Sequence, residues 1–237
     1  MHKLNDWLLR LWIYHLTFAA GMLNTAAFLQ FAYVTTHHTG SLTQLGMRLG
    51  NGQMQLAWTY LVLLGAYMVG AAISGWVFPR DYFRPLKRYG GLLTSLNFGL
   101  LVLLWLKADP LITMAYLSLM AGAQNGMILF YRGIVIRTTH VTGTLTDVGL
   151  SLGRYLKEKG SHDLFRFFFL AKQLLMFLFG CVTMAYLDSI SSANLLKFVI
   201  ITNLVVILVF ILLYLAYSPL EAKLGANTIQ RDPDLEG

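Results

Sequence analysis

The sequence predicts an all-α polytopic membrane helix bundle of six spans, built as two three-helix repeats of inverted topology with helix breaks at paired Thr-Gly motifs. Three observations predict it. Apolar residues make up 57% of the 237-residue chain and charged residues 12%, about half the charged share of a typical soluble domain. Several apolar stretches reach the roughly 20 residues that a helix needs to cross a bilayer. One segment of sixteen residues occurs twice, 103 residues apart, with ten identical positions.

The spans fall at 11–34, 54–78, 89–106, 111–136, 164–187 and 195–217. Lys3 and Arg10 precede the first, which lacks a small-residue cleavage pattern and therefore reads as a retained span rather than a signal peptide. The second holds no Asp, Glu, Lys or Arg and carries Gly65, Gly70 and Gly75, small residues that let backbones approach in lipid, before it stops at Pro79. Lys87 and Arg88 precede the third and Lys107 follows it. Arg132 lies near the inner end of the fourth, where it either adds a fixed charge or snorkels to headgroups. The fifth contains Lys172 and the lone Cys181. After the sixth, the chain turns polar beyond Pro219 and acidic towards its end, the composition of a loosely ordered tail. The organisation is thus one transmembrane domain over 1–217, with repeat A at about 10–106, repeat B at about 111–217, and a polar cytoplasmic tail over 218–237.

A formal charge of +7 could point to nucleic acid in a soluble protein, but here the cations sit in short loops between apolar runs. Thirteen of the eighteen Lys and Arg fall on one side of the predicted topology, and only Arg48, Lys107 and Lys197 on the other. Cytoplasmic loops retain positive charge during insertion, so both termini are expected in the cytoplasm. The partners expected are membrane lipids and a small-molecule or ion substrate, not nucleic acid, with a homodimer through the glycine-bearing faces as a further expectation. One cysteine supports neither a disulfide framework nor a cysteine metal site, and no cofactor or metal is called for.

Thr35 to Gly50 reads TTHHTGSLTQLGMRLG and Thr138 to Gly153 reads TTHVTGTLTDVGLSLG. Each copy is preceded by AGxxN, ending at Asn24 and Asn125. With three spans per half, an odd number, the second half enters the membrane inverted. In the first copy Thr39, Ser41 and Thr43 flank Gly40; in the second Thr142, Thr144 and Thr146 flank Gly143. Hydroxyl residues cap helix starts, and a short helix beginning after each glycine would present unpaired N–H groups and a partial positive charge. Such breaks are tolerated at membrane depth only where protein or a wet cavity surrounds them. Together with Asn24, Asn125 and Arg132 they form a candidate substrate site for a small anion or zwitterion. His37 and His140 match across the repeat and can titrate near neutrality; with Asp147, which stands where the first copy has Gln44, they are candidates for proton coupling. The alternative is that Thr and Gly only pack helices closely.

Transport or conduction of a small polar solute is the function this pattern favours. The chain has no GxSxG, no HExxH and no pair of acids within the spans, so no enzyme is expected. His15, His37, His38 and His140 could ligate haem, but His37 and His140 fall on opposite sides. A non-transporting scaffold or sensor is the other reading.

At these residues the chain resembles the YoaK family of bacterial membrane proteins, a domain of unknown function. The resemblance rests on Gln124-Asn125 followed by Thr139-His140-Val141-Thr142-Gly143-Thr144-Leu145-Thr146, and it extends over most of 10–217. The family's earlier motif is altered: Asn24 stands where it often has an acid, and Ser41 where it often has Asn. The resemblance implies the bacterial cytoplasmic membrane and supplies no established substrate.

Overall fold

The computed structural model describes residues 2–33, 35–36, 38–78, 85–127 and 129–229, with their side chains from Leu4 to Tyr217 other than Phe130. The elements run α1 (His2–Phe31), α2 (His38–Gly50), α3 (Met54–Val77), α4 (Lys87–Trp105), α5 (Pro110–Gly126), β1 (Leu129–Tyr131), β2 (Ile134–Ile136), α6 (Val141–Glu158), α7 (Ser161–Ile190) and α8 (Leu195–Ile229).

Three stretches are long and apolar enough to cross a membrane: Met54–Val77, Ser161–Ile190 and Leu195–Tyr217. Their outer faces expose Trp58, Met68 and Trp76 on α3, Leu175, Leu178 and Val182 on α7, and Leu204, Leu208 and Leu215 on α8. Buried within lie Asn24, Ser74, Asn97, Gln124 and Gln173. Large apolar side chains outside and amides inside reverse the soluble pattern and suit a hydrocarbon surround. α1 is the most internal helix, burying Trp12, Ile13, Leu16, Leu23 and Ala26. α5 has 17 residues, about 25 Å of helix against a hydrocarbon core of about 30 Å.

Contacts fix the helix directions. Tyr14 packs on Phe169 and Phe18 on Phe179, with ring centroids 5.5 and 5.6 Å apart, so α1 and α7 run parallel. α8 is antiparallel to α1: Trp12 meets Phe210 at 5.0 Å, and the Thr202 hydroxyl lies 3.1 Å from the Met22 sulfur. α3 also opposes α1, because Tyr60 meets Tyr33 beyond the far end of α1, while Phe78 stacks on Tyr89, which packs on Trp12. α5 opposes α1 as well: Gln124 Nε2 donates to Leu16 O, and Phe31 shares a cavity with Pro110 and Thr113.

Four glycines set the two closest crossings. A Cβ on Gly21 would strike Phe177 O on α7, and one on Gly122 would strike Tyr67 O on α3. Reciprocally, Gly180 faces Phe18 O and Met22 N on α1, and Gly70 faces Leu119 O and Ala123 N on α5. The two crossings match residue for residue, with Phe18, Gly21 and Met22 corresponding to Leu119, Gly122 and Ala123, and Tyr67 and Gly70 to Phe177 and Gly180. The glycines expected to bring neighbours close on the second span divide: Gly70 does so, whereas Gly65 and Gly75 meet nothing within 4 Å.

Several boundaries differ from the sequence expectation. The stretch 111–136 is not one helix, because α5 ends at Gly126 and an antiparallel hairpin follows, pairing Leu129 with Ile136 and Tyr131 with Ile134. Arg132 and Gly133 form its turn with φ of 49° and 78°, the two positive values that a two-residue type I′ hairpin turn needs. The first helix starts at His2 rather than 11 and stops at Phe31, with Ala32 at φ 58°. α8 continues as helix through Pro219 to Ile229, into the stretch expected as tail.

Candidate functional site

α2 and α6 begin beside the middles of long helices. Beyond α1 the chain folds back, and Thr36 Oγ1 donates to Asn24 Oδ1 at 2.7 Å. α2 then starts at His38, whose ring lies 4.1 Å from that of Tyr67 in the middle of α3. Tyr67 OH in turn accepts from Asn125 Nδ2 at 2.7 Å. From there α2 runs along α3 towards Met54, where Arg48 donates to Gln53 Oε1 at 2.6 Å.

The second half repeats the device at the start of α6. Gln124 Nε2 donates to both Leu16 O and Thr138 Oγ1 at 2.9 Å, tying the segment before α6 to the middle of α1. Thr17, Thr138, Val141, Thr144, Gln173 and Phe177 surround a void of about 10 Å³. α6 then runs back along α7 to its beginning, where Asp147 pairs with Arg166 at 3.2 Å. Because α3 opposes α1 and α7 runs with it, α2 and α6 lead to opposite ends of the bundle.

The motif residues divide by face. Thr39, Gly40 and Thr43 are exposed on α2, and Thr43 Oγ1 donates to Thr39 O at 3.0 Å. Thr142 and Thr146 are likewise exposed on α6, with the same bond from Thr146 to Thr142 O. Ser41 is buried, and Thr144, half-buried, donates to His140 O. Gly40 and Gly143 are not the breaks themselves. Both lie inside the first turns of their helices, and the non-helical segments precede them. Gly143 leaves room for the exposed His140 imidazole, which a Cβ would strike. His140, Gly143, Thr144, Thr146 and Asp147 line an open cavity of about 460 Å³ with Val135 and Arg137, without any residue of the first copy.

Arg132 lies in the hairpin turn, away from both helix starts. It pairs with Asp6 at 3.1 Å and sits 5.0 Å from the Phe165 ring, while Asp6 also holds Arg10 at 3.3 Å. His37 lies outside the described residues. Among the described residues no group of three His, Cys, Asp or Glu side chains is placed to hold a metal ion.

Tyr67, Thr17, Gln124, Thr138 and Gln173 complete the two helix starts and were not among the residues expected there. Gln124 and Thr138 lie within the repeated segments and could have been found with them. Tyr67 and Gln173 carry no signal, since α3 and α7 share too little sequence to align.

No curated protein and no solved structure matches the chain. A family model described as a protein of unknown function, DUF1275, matches residues 13–213, and it is to this family that the chain belongs.

Proposed function

We propose that this protein is a six-span transporter or channel of the bacterial cytoplasmic membrane, with both termini in the cytoplasm, that holds a small polar solute between inverted repeats at the starts of α2 and α6. One observation carries the reading: two short amphipathic helices start at mid-height of long apolar helices and lead to opposite ends. Their first N–H groups have no intrahelical acceptor, and at membrane depth such groups are tolerated only inside protein or against water. Half-helix starts of this kind, paired across an inverted repeat, make midplane solute sites.

Support for six crossings comes from direction and shielding. α1, α3, α4, α5, α7 and α8 alternate in direction, α4 running against α8 because Asn97 Nδ2 donates to Ile200 O while Gly90 faces the Phe210 ring, and α1 and α5, which open the two repeats, oppose each other. α1 need not be uniformly apolar, because α7 and α8 cover it. α5 is extended by the hairpin, whose turn reaches the level of Asp6 near the start of α1. The hairpin pairs its own backbone, which makes non-helical chain at that depth affordable. Lys87, Arg88, Lys157 and Lys159 flank the same end as Arg10, the cytoplasmic end by the charge rule. Neither a catalytic role nor a cofactor is part of this reading.

The topology is tested with cysteines at exposed positions on a Cys181→Ser background. Thr43→Cys should react with an impermeant maleimide from outside and Thr146→Cys only from the cytoplasm; labelling of both from one face overturns the inverted repeat. Proteoliposomes should equilibrate at least one solute from a panel of amino acids, nucleobases and small anions faster than protein-free vesicles. If none moves, the transport reading fails.

A further inference from the structure

We propose that the start of α2 is a binding site for a small monovalent anion of the chloride or nitrate class, and that the start of α6 is its closed counterpart; this rests on the transport reading above. The matched glycine crossings make Tyr67 the counterpart of Phe177, and the repeat register makes Thr35 and His38 the counterparts of Thr138 and Val141. The same correspondence sets Ser118 against Thr17 and Leu23 against Gln124.

In the second half every hydroxyl at the void has a hydrogen-bond partner. Thr17 donates to Ile13 O and Thr144 donates to His140 O, while Thr138 accepts from Gln124 and keeps its O–H beside the Gln173 Oε1 acceptor that lines the same void. Val141 and Phe177 close the remainder, and the void of about 10 Å³ has room for about one water.

The first half differs at each of these points. Leu23 offers Thr35 no amide, and the Thr35 hydroxyl, 0% exposed, has no partner; nor does that of Ser118, also 0% exposed. Two dry, unpartnered hydroxyls whose counterparts line one void are a site awaiting an acceptor. Tyr67 accepts from Asn125 and retains its own O–H to donate. Asn125 Oδ1 is buried without a partner; a flipped amide would place its N–H there instead and spend the Tyr67 O–H on Oδ1, so either orientation leaves the site one donor from this pair. The first-turn N–H groups of α2 add a partial positive charge.

The charge inventory sets the class. α3, α5, α1 beyond Arg10 and α2 before Arg48 contain no Asp, Glu, Lys or Arg. Donors without a full positive charge suit a monovalent ion held loosely enough to leave, as conduction requires. A phosphate or another multivalent anion would need Arg or Lys.

The test is thermal unfolding of the purified full-length protein in detergent, comparing sodium nitrate and sodium chloride with sodium gluconate at equal ionic strength. Nitrate or chloride should raise the Tm by about 3–6 °C at ten times the dissociation constant. The double variant Thr35→Val with Ser118→Ala should unfold in gluconate no lower than the native protein, since it removes hydroxyls that have no partner, yet bind the anion at least tenfold more weakly. Tyr67→Phe should weaken the anion in the same direction. An anion shift that persists undiminished in the double variant and in Tyr67→Phe overturns the site. A neutral solute that shifts the Tm or crosses proteoliposomes while both anions do neither overturns the anion class and leaves the transport reading standing. If nothing binds and nothing moves, the transport reading falls with it.

Discussion

Among single residues, the four crossing glycines carry the sharpest constraint. Gly122→Ala would push a Cβ into Tyr67 O, a backbone atom that cannot turn aside, and should cost about 1–3 kcal/mol of stability. Gly65→Ala on α3 meets open space and should leave the Tm unchanged or raise it by the better helix propensity of alanine. Thermal unfolding of the pair separates a packing glycine from one that merely looks alike in sequence. Gln124→Leu removes two hydrogen bonds and leaves the Thr138 hydroxyl and Leu16 O without that donor, so a loss of about 1–3 kcal/mol is expected. The repeated motif was legible at this scale, and its two copies fall on α2 and α6. Its exposed hydroxyls, Thr39, Thr43, Thr142 and Thr146, were not legible as such, because a threonine that donates to its own helix and one that lines a site read the same. Tyr67 and Gln173 come from other helices, and adjacency in space leaves no spacing to count.

For the elements, hydropathy located the three stretches long and apolar enough to cross a membrane to within a few residues, since that property rests on composition alone. It failed at the hairpin. Ile134, Val135 and Ile136 are as apolar as any span, and only their β-branching and the Arg132-Gly133 pair separate strand from helix. Gly133→Val places a β-branched residue at φ 78°, where it is strained by about 1–3 kcal/mol. Loss of the turn should also part Arg132 from Asp6. The expected result is a lower Tm, with proteolysis of the variant beginning in the hairpin rather than in α5 or α6.

The whole molecule is an arrangement of helices exchanged between halves. α1 lies against α7 and α3 against α5, so each of the two close crossings takes one helix from either side of the chain's midpoint. Neither half therefore owns its partner surfaces. Residues 1–107 expressed alone would leave Gly21 and Gly70 facing lipid where α7 and α5 belong, and 108–237 would leave Gly122 and Gly180 equally bare. A gene cut between Lys107 and Ala108 should yield two fragments that are degraded when made singly and survive when made together. The link between the halves is dispensable, whereas their interlocking is not.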